Sequence, residues 1–196
     1  MTDLEQQLVN YIEDAHAVEQ HMLFALDRMI STTEDPDMRG HLEHHREETE
    51  RHRRLLEERL EAHGQSPSTV KDAGQVLFAL SKGIIDQARA DNAGKNARDG
   101  YVSEQLEIAC YELLERVATI AGDEATAAVA RRNRTDEEAM AAKITANWDK
   151  AARESLAQEG ALARRPGAQS PAVSSNSSGE STNVSRSSMP VTPRSR

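Results

Sequence analysis

His41–Leu60 reads HLEHHREETERHRRLLEERL, a stretch without Gly or Pro that is rich in Glu, Leu and Arg. This composition favours a continuous helix. The apolar residues near its two ends, Leu42 on one side and Leu56 and Leu60 on the other, follow helical spacing and lie on one face. That face is the one we expect to turn towards the rest of the protein.

The middle of the same face is polar. Between its apolar ends the stripe passes through His45, Thr49 and His52, with Glu48 at its edge. At about 100° per residue, His45 and His52 differ by only ~20°, and Glu48 lies ~60° to one side. Buried polar groups need partners, and buried charges need counter-charges or a metal ion. The stretch therefore predicts imidazoles and a carboxylate at positions where Leu would be expected.

Composition and charge narrow the class of protein. The chain has 196 residues, few aromatic residues and a net charge of −9, which indicates an acidic helical protein with one main domain. An acidic body disfavours nucleic acid as the main partner and suits cations. The single Cys110 excludes an intrachain disulfide. No apolar run nears the ~20 residues of a membrane span, and the opening residues do not read as a signal peptide. A cytoplasmic location is expected.

Hydrophobic periodicity predicts four long helices and one short one. They run from Thr2 or Asp3 to Ser31, from Pro36 to Ala62, over about 70–88 for the short helix, from Tyr101 to Gly122, and from Asp123 to about Leu156. The polar stretch 92–100 is expected to connect the short helix to the next. Two helices, a longer connection and two more helices are the wiring of a ferritin-like four-helix bundle. The predicted fold class is therefore all-α and ferritin-like, with a short extra helix in the central crossover.

The C-terminal part differs in composition from the rest. Residues 161–196 contain ten Ser, four of the six Pro and no aromatic residue. Such a segment buries too little apolar surface to offset the entropy of ordering, so it is predicted to be a disordered tail. We place the bundle domain at residues 1–158 and the tail at 159–196. The tail's five Arg predict at most weak, salt-sensitive contacts with nucleic acid or other anions.

Several segments resemble one known family. Asp14–Met29, DAHAVEQHMLFALDRM, is similar to the opening helix of the YciF-type (YciE/YciF) ferritin-like proteins. His45–Leu55 resembles the His-x-x-Glu-Thr signature of their second helix, and Glu104–Tyr111, EQLEIACY, resembles their third-helix segment most specifically. Glu137–Glu138 falls where their last helix has a Glu pair. The resemblance covers about residues 4–150.

Membership of this family implies a ferritin-like bundle, a homodimer, and an association with bacterial stress responses. It also implies a candidate metal site in the middle of the bundle.

Ferritin-like di-metal sites take one Glu from each of two helices and a Glu-x-x-His pair from each of the other two. Each long helix of this chain offers at least one carboxylate near the core. The candidate ligands are Glu19, Glu48, His52, His45, Glu107, Glu137 and Glu138. Iron as a di-iron centre is the first candidate, another divalent metal the second, and a metal-free interior is the alternative.

The spacing departs from that ligand pattern. Arg51 occupies the position three residues after Glu48, and Met140 occupies the position three residues after Glu137. The last helix therefore lacks the imidazole that the pattern requires. The sequence predicts an incomplete set of ligands, which disfavours iron oxidation and leaves it open whether the chain is an enzyme.

The remaining chemically active residues are assigned from their position relative to the apolar stripes. His41 and His44 are expected to be solvated, and His16 and His21 are expected at the surface. Tyr111, one turn beyond the Glu107 position, is either a hydrogen-bond donor to a site carboxylate or core packing.

Two functions from different classes remain. The first is a ferritin-like, stress-associated protein that binds a di-metal centre between its four long helices. The second is a metal-free helical scaffold or interaction module that acts as a dimer.

Overall fold

The computed structural model describes residues 2–66 and 92–162. The regular secondary structure of these residues is entirely helical. The helices are α1 (Asp3–Thr32), α2 (Pro36–Ala62), α3 (Ala93–Ala121), α4 (Glu124–Ala146) and α5 (Trp148–Gln158). Among the helices so described, none is both long and apolar enough to cross a membrane.

Polar caps fix where the helices begin. The Thr2 side chain accepts a hydrogen bond from the backbone N–H of Glu5, whose carboxylate accepts from the Thr2 N–H in return. Asp35, Asn92 and Asp123 cap α2, α3 and α4 in the same way, each accepting from the N–H three residues on. These side chains satisfy backbone donors that the first turn of a helix leaves without a partner.

The four long helices form a bundle. α1 packs against α2 and α3, α4 packs against α3 and α2, and α5 folds back onto α3. The predicted all-α four-helix architecture is therefore confirmed. The short helix predicted over 70–88 and nearly all of the predicted tail lie outside the described residues. The division into domains at residue 158 stays a prediction.

Two helix boundaries differ from the sequence-based prediction. α3 begins at Ala93, so most of the polar stretch 92–100 is helical and not a connection. Asn92 supplies the cap, and Gly100 is buried against Ile144 of α4, so packing compensates for a weak helix former. The last predicted helix is two helices, because the chain turns at Asn147 between α4 and α5.

The interior has two apolar clusters. The first core contains Leu8, Val9, Ile12, Ala15, Leu56, Leu60, Tyr111, Leu114, Ala118, Ala127 and Ala130. The second core, towards the other end of the bundle, contains Val18, Met22, Ala25, Leu26, Met29, Leu42, Met140 and Ile144. On α2 the two polar positions His45 and His52 fall between Leu42 of the second core and Leu56 of the first. The bundle therefore has a polar layer at mid-height with an apolar core on either side.

Candidate metal centre

The polar layer is built from six side chains that face one another across the bundle. Helix α2 contributes both imidazoles, α3 two carboxylates, and α1 and α4 one carboxylate each. Each of the six is at most 1% exposed, and they are Glu19, His45, His52, Glu104, Glu107 and Glu137. All four long helices thus converge on one interior point.

The first of two groups within this layer consists of Glu19, His52 and Glu137. His52 Nδ1 lies 2.8 Å from Glu137 Oε1 and 3.5 Å from Glu19 Oε1. One potential ligand atom from each residue lies within 4.8 Å of the others. We call this set group A; it offers one imidazole nitrogen and two carboxylates.

Group B consists of His45, Glu104, Glu107 and Glu137. His45 Nε2 lies 3.3 Å from Glu104 Oε1 and 3.4 Å from Glu137 Oε2. The four potential ligand atoms again lie within 4.8 Å of one another. Group B therefore offers one imidazole nitrogen and three carboxylates.

Glu137 belongs to both groups. Its Oε1 is the atom near His52 in group A, and its Oε2 is the atom near His45 in group B. A carboxylate that turns one oxygen to each of two ligand sets is the arrangement that bridges a pair of cations. The two groups together contain two imidazoles and four carboxylates.

The donor set fits divalent metal ions. Both oxygens of Glu107 are buried without a hydrogen-bond partner among the described residues, and the close contacts of Glu137 with His52 Nδ1 and His45 Nε2 lack hydrogen-bond geometry. None of the buried residues that the structure describes is Lys or Arg, so no permanent cation offsets the carboxylates. Buried acceptors of this kind are costly unless they are protonated or coordinate a cation. Imidazole and carboxylate ligands suit iron, manganese and zinc.

Burial also changes the proton affinity of the layer. It raises the pKa of Glu19 and Glu107, and it raises the pKa of Glu104 to about 7. Burial lowers the pKa of His52, but the adjacent carboxylates of Glu137 and Glu19 outweigh it and raise that pKa to about 10. Without a bound cation, the layer therefore retains protons near neutral pH. Metal ions would displace those protons.

Each imidazole is supported on the side that faces away from the layer. His45 Nδ1 lies 3.4 Å from Glu48 Oε2, and His52 Nε2 lies 3.1 Å from Asp136 Oδ2. Arg51 in turn donates to Asp136 Oδ2 at 2.7 Å. Carboxylates in this position fix the ring orientation and the tautomer of histidine ligands. The second nitrogen of each ring is thereby aimed at the layer.

Five of the seven residues predicted as ligands are brought together, and two are not. Glu48 belongs to neither group. It lies beside the buried face of α2, is partly exposed, and contacts His45 Nδ1, the ring nitrogen that faces away from the layer. Glu138 is 55% exposed and lies 3.5 Å from Arg134 Nε. Adjacent residues point about 100° apart on a helix, so only Glu137 of the pair can face the interior.

Glu104 is the ligand candidate that sequence reasoning missed. It precedes Glu107 by one helical turn and lies on the same buried face of α3, so the i, i+3 spacing was the available signal. The expectation of an incomplete ligand set is also corrected. Both imidazoles come from α2, seven residues apart, and α4 supplies none.

Tyr111 lies between the layer and the first core. Its hydroxyl donates to Glu19 Oε1 and accepts a hydrogen bond of 3.0 Å from Asn133 Nδ2. Its ring packs in the first core, with an edge contact to His52. Burial raises the pKa of Tyr111, so the hydroxyl keeps its proton. Tyr111 thus combines the two roles that the sequence left open.

The other histidines lie away from the layer. His41 and His44 are exposed, as expected. His16 was expected at the surface but is only 1% exposed, and its Nε2 lies 3.1 Å from Glu57 Oε1. His21 is partly buried. None of the four belongs to a ligand group.

Comparison with known proteins places this geometry in context. Residues 3–157 match the family described as "Domain of unknown function (DUF892)". A protein from Xanthomonas campestris has a similar structure, with 24% sequence identity and a TM-score of 0.67 over 81% of this chain and 99% of that one. The Escherichia coli stress protein YciF is 17% identical, with a TM-score of 0.62 over 79% of this chain and 99% of YciF.

A third similar structure is a dodecameric thioferritin, the bacterioferritin-related protein of Bacteroides fragilis. It is 18% identical, with a TM-score of 0.64 over 81% of this chain and 92% of the thioferritin. At these identities the structural likeness shows the fold. Together with the family match, it confirms the ferritin-like bundle and the resemblance to YciF-type proteins.

Proposed function

The chain belongs to the DUF892 family, and from its polar layer we propose that it binds a pair of divalent cations, iron first among them, inside a ferritin-like bundle. The proposed ligands are Glu19, His52 and Glu137 for one cation and His45, Glu104, Glu107 and Glu137 for the other. Glu137 bridges the two.

The observation that carries the proposal is a set of buried imidazole and carboxylate groups from four helices that converge on one interior point. The four carboxylates of the two groups lie at most 1% exposed, and most of their oxygens have no hydrogen-bond donor. Two divalent cations bring the four positive charges that would offset them. No alternative counter-charge of that size is buried in the described part of the chain.

The surrounding residues hold the site in shape. Glu48 and Asp136 orient the two imidazoles, and Tyr111 fixes one oxygen of Glu19. The first core adjoins the layer on one side and the second core on the other. Iron bound there would supply one-electron redox chemistry, with group A, which has three protein ligands, leaving more coordination positions for water or a small substrate.

The direct test is elemental analysis of the full chain purified without chelator, compared with matched variants. We expect two metal ions per chain and a melting temperature that rises with Fe²⁺ (kept anaerobic), Mn²⁺ or Zn²⁺. Glu137→Gln should lose most of the metal, whereas Glu138→Gln, the same change at the exposed neighbour, should keep it. The proposal would be overturned if the purified protein contained no metal and its melting temperature did not change on addition of any of the three ions.

The physiological setting is proposed from the relatives. E. coli YciF is described as a stress protein and the B. fragilis protein as a dodecamer. We extend to this chain a stress-associated role in the cytoplasm and self-association, with a homodimer as the smallest assembly. Exposed apolar residues on α1 and α3 support self-association, since Phe24 is 76% exposed and Ile120 is 73% exposed. Light scattering after size-exclusion chromatography measures the assembly.

One observation favours the second candidate, a metal-free scaffold. The imidazoles lie within ion-pair distance of the carboxylates, and the contacts with Glu104 and Glu48 keep the pKa of His45 well above its usual value despite burial. Protonated rings could then serve as internal counter-charges. Under this alternative, replacing Glu107 is tolerated whether metal is present or not.

A further inference from the structure

The second core adjoins a cavity. Described residues of α1 to α5 line this partly open space of about 320 Å³. An engineered apolar cavity of about 150 Å³ stays dry and binds benzene. The cavity therefore has room for roughly two such molecules, which is the size range of a small-molecule site. We call it the slot.

The slot lies beside two helices over several turns. It is lined by α1 from Met22 to Thr32, by Thr33 just beyond the end of that helix, and by α3 from Ala93 to Glu104. The two helical stretches advance ten and eleven residues, or about 15–17 Å along the helix axis at 1.5 Å per residue. An extended chain laid parallel to these helices would contact the lining along its length.

The walls of the slot are apolar and adaptable. Four of the six methionines in the sequence line it, namely Met22, Met29, Met38 and Met140. Unbranched thioether side chains adjust to ligands of variable shape and are frequent on promiscuous binding surfaces. The first core is filled by Leu, Ile and Ala instead. The concentration of methionine at the slot is therefore a feature of this end of the bundle.

The two ends of the slot differ in chemistry. Its inner end reaches Glu104 of group B, whose Oε2 is buried without a hydrogen-bond partner. Its outer end carries the uncharged polar side chains of Thr33, Asn96 and Gln158. The outer end also has the carboxylates of Glu34, Asp35 and Glu154, with Lys150 bound to Asp35 at 2.6 Å. Three carboxylates against one ammonium disfavour a ligand with a negative end.

We propose that the slot binds an unbranched alkyl chain with an uncharged polar end, such as a medium-chain alcohol. The alkyl part lies along the methionine walls, the polar end lies among the hydroxyl and amide groups of the mouth, and the terminal methyl group approaches Glu104. The slot is a binding site in its own right, which meets the polar layer only at Glu104. Binding does not require a metal ion.

The first experiment is isothermal titration calorimetry of the full, chelator-treated chain with 1-hexanol, 1-heptanol and 1-octanol. We expect saturable binding at one site, with the dissociation constant falling about fourfold for each added methylene. Octanoate should bind at least tenfold more weakly than 1-octanol. Absence of saturable binding overturns the proposal, and equal affinity for octanoate overturns the assignment of the mouth.

Variants separate the slot from nonspecific apolar binding. Ala97 lines the slot on α3, and Ala97→Phe should fill it and abolish 1-octanol binding. Ala109 is exposed on the same helix, so Ala109→Phe is the matched control and should bind as the parent chain does. Met29→Leu keeps the volume and should bind within threefold. If Ala97→Phe does not fold, Ala97→Leu replaces it. Unchanged binding in a folded Ala97 variant overturns the proposal.

Orientation is tested separately and rests on the proposed metal function. With Mn²⁺ in the polar layer, proton relaxation of bound 1-octanol should be enhanced more at the terminal methyl group than at the carbon that bears the hydroxyl. The opposite gradient overturns the assigned direction. If elemental analysis finds no Mn²⁺, the proposed function fails, while the calorimetric result still decides the slot.

Discussion

Leu56 and His52 lie one turn apart on α2, and both are 0% exposed, but they are buried among different neighbours. Leu56 packs in the first core against other apolar side chains. His52 faces the carboxylates of Glu19 and Glu137 in the polar layer. Burial removes both side chains from water. For the apolar Leu56 this favours folding, whereas for a charged group that lacks a counter-charge it opposes folding.

The difference shows that depth of burial alone does not indicate what a residue contributes. The first core stabilises the bundle whether or not protons or metal ions are bound in the polar layer. The polar layer stabilises it only to the extent that protons or cations offset its carboxylates. The four predictions below test this contrast, beginning with the change that should have the largest effect on stability.

Leu56→Ala tests the contribution of the first core to stability. Removal of a fully buried leucine leaves a cavity and should lower the free energy of unfolding by about 2–5 kcal/mol. The loss should be similar with and without metal, because Leu56 packs in the first core and belongs to neither ligand group. Urea denaturation measures it. Leu113→Ala, at a position that is 51% exposed, is the control and should change stability by less than ~0.5 kcal/mol.

Glu107→Leu should convert part of the polar layer into core. Both oxygens of Glu107 are buried without a donor, so an apolar replacement removes an uncompensated desolvation cost and should raise the unfolding free energy of the metal-free chain by about 1–3 kcal/mol. The same variant should lose the stabilisation by Mn²⁺ or Zn²⁺. Denaturation with and without metal measures both effects, and Glu138→Leu is the exposed control. Destabilisation of the metal-free chain would contradict the contrast.

Stability of the metal-free chain should fall as the pH rises. The pKa of Glu104 is raised to about 7 and that of His52 to about 10, so the folded state binds more protons than the unfolded state. The contribution of Glu104 is lost from its ordinary pKa up to about 7, and that of His52 from its ordinary pKa up to about 10.

The resulting loss between pH 6.5 and 8.5 should be about 3 kcal/mol, measured by urea denaturation in the presence of a chelator. Asp123 does not obscure this window, because its pKa is lowered and it is ionised throughout. Bound metal should reverse the trend, since cations compete with protons for the same atoms. A metal-free chain that becomes more stable across this window would refute the protonation argument.

Glu48→Gln should have the smallest effect. Glu48 supports His45 from outside the layer at 3.4 Å, so its loss should weaken metal affinity by about tenfold, the lower end of the range for such supporting groups. Competition with a chromogenic chelator measures the change. Glu47→Gln, at the exposed neighbouring position, should leave affinity unaltered. If Glu48→Gln lost as much metal as is expected for Glu137→Gln, Glu48 would have to be a ligand itself.

The sequence by itself determined the helices and most of the ligand candidates. The helical period places His45, His52, Glu19 and Glu137 on buried faces, because that period is a local property of the backbone. Order along the chain, two helices followed by a longer connection and two more, was enough to predict the ferritin-like bundle. The helix starts near Pro36 and Asp123 were likewise predicted, since a helix start depends on neighbours within one turn.

Only the tertiary structure decided which side chains meet. Glu48 and Glu104 illustrate this, because both lie near the apolar stripe of their helices and only the packing of α3 against its neighbours turns Glu104 inward. The same packing gave group B its third carboxylate, and it also buried His16. Rotation of a helix about its own axis and distances between helices depend on residues far apart in the chain. No local pattern encodes them, and they determine both the shared Glu137 and the slot beside it.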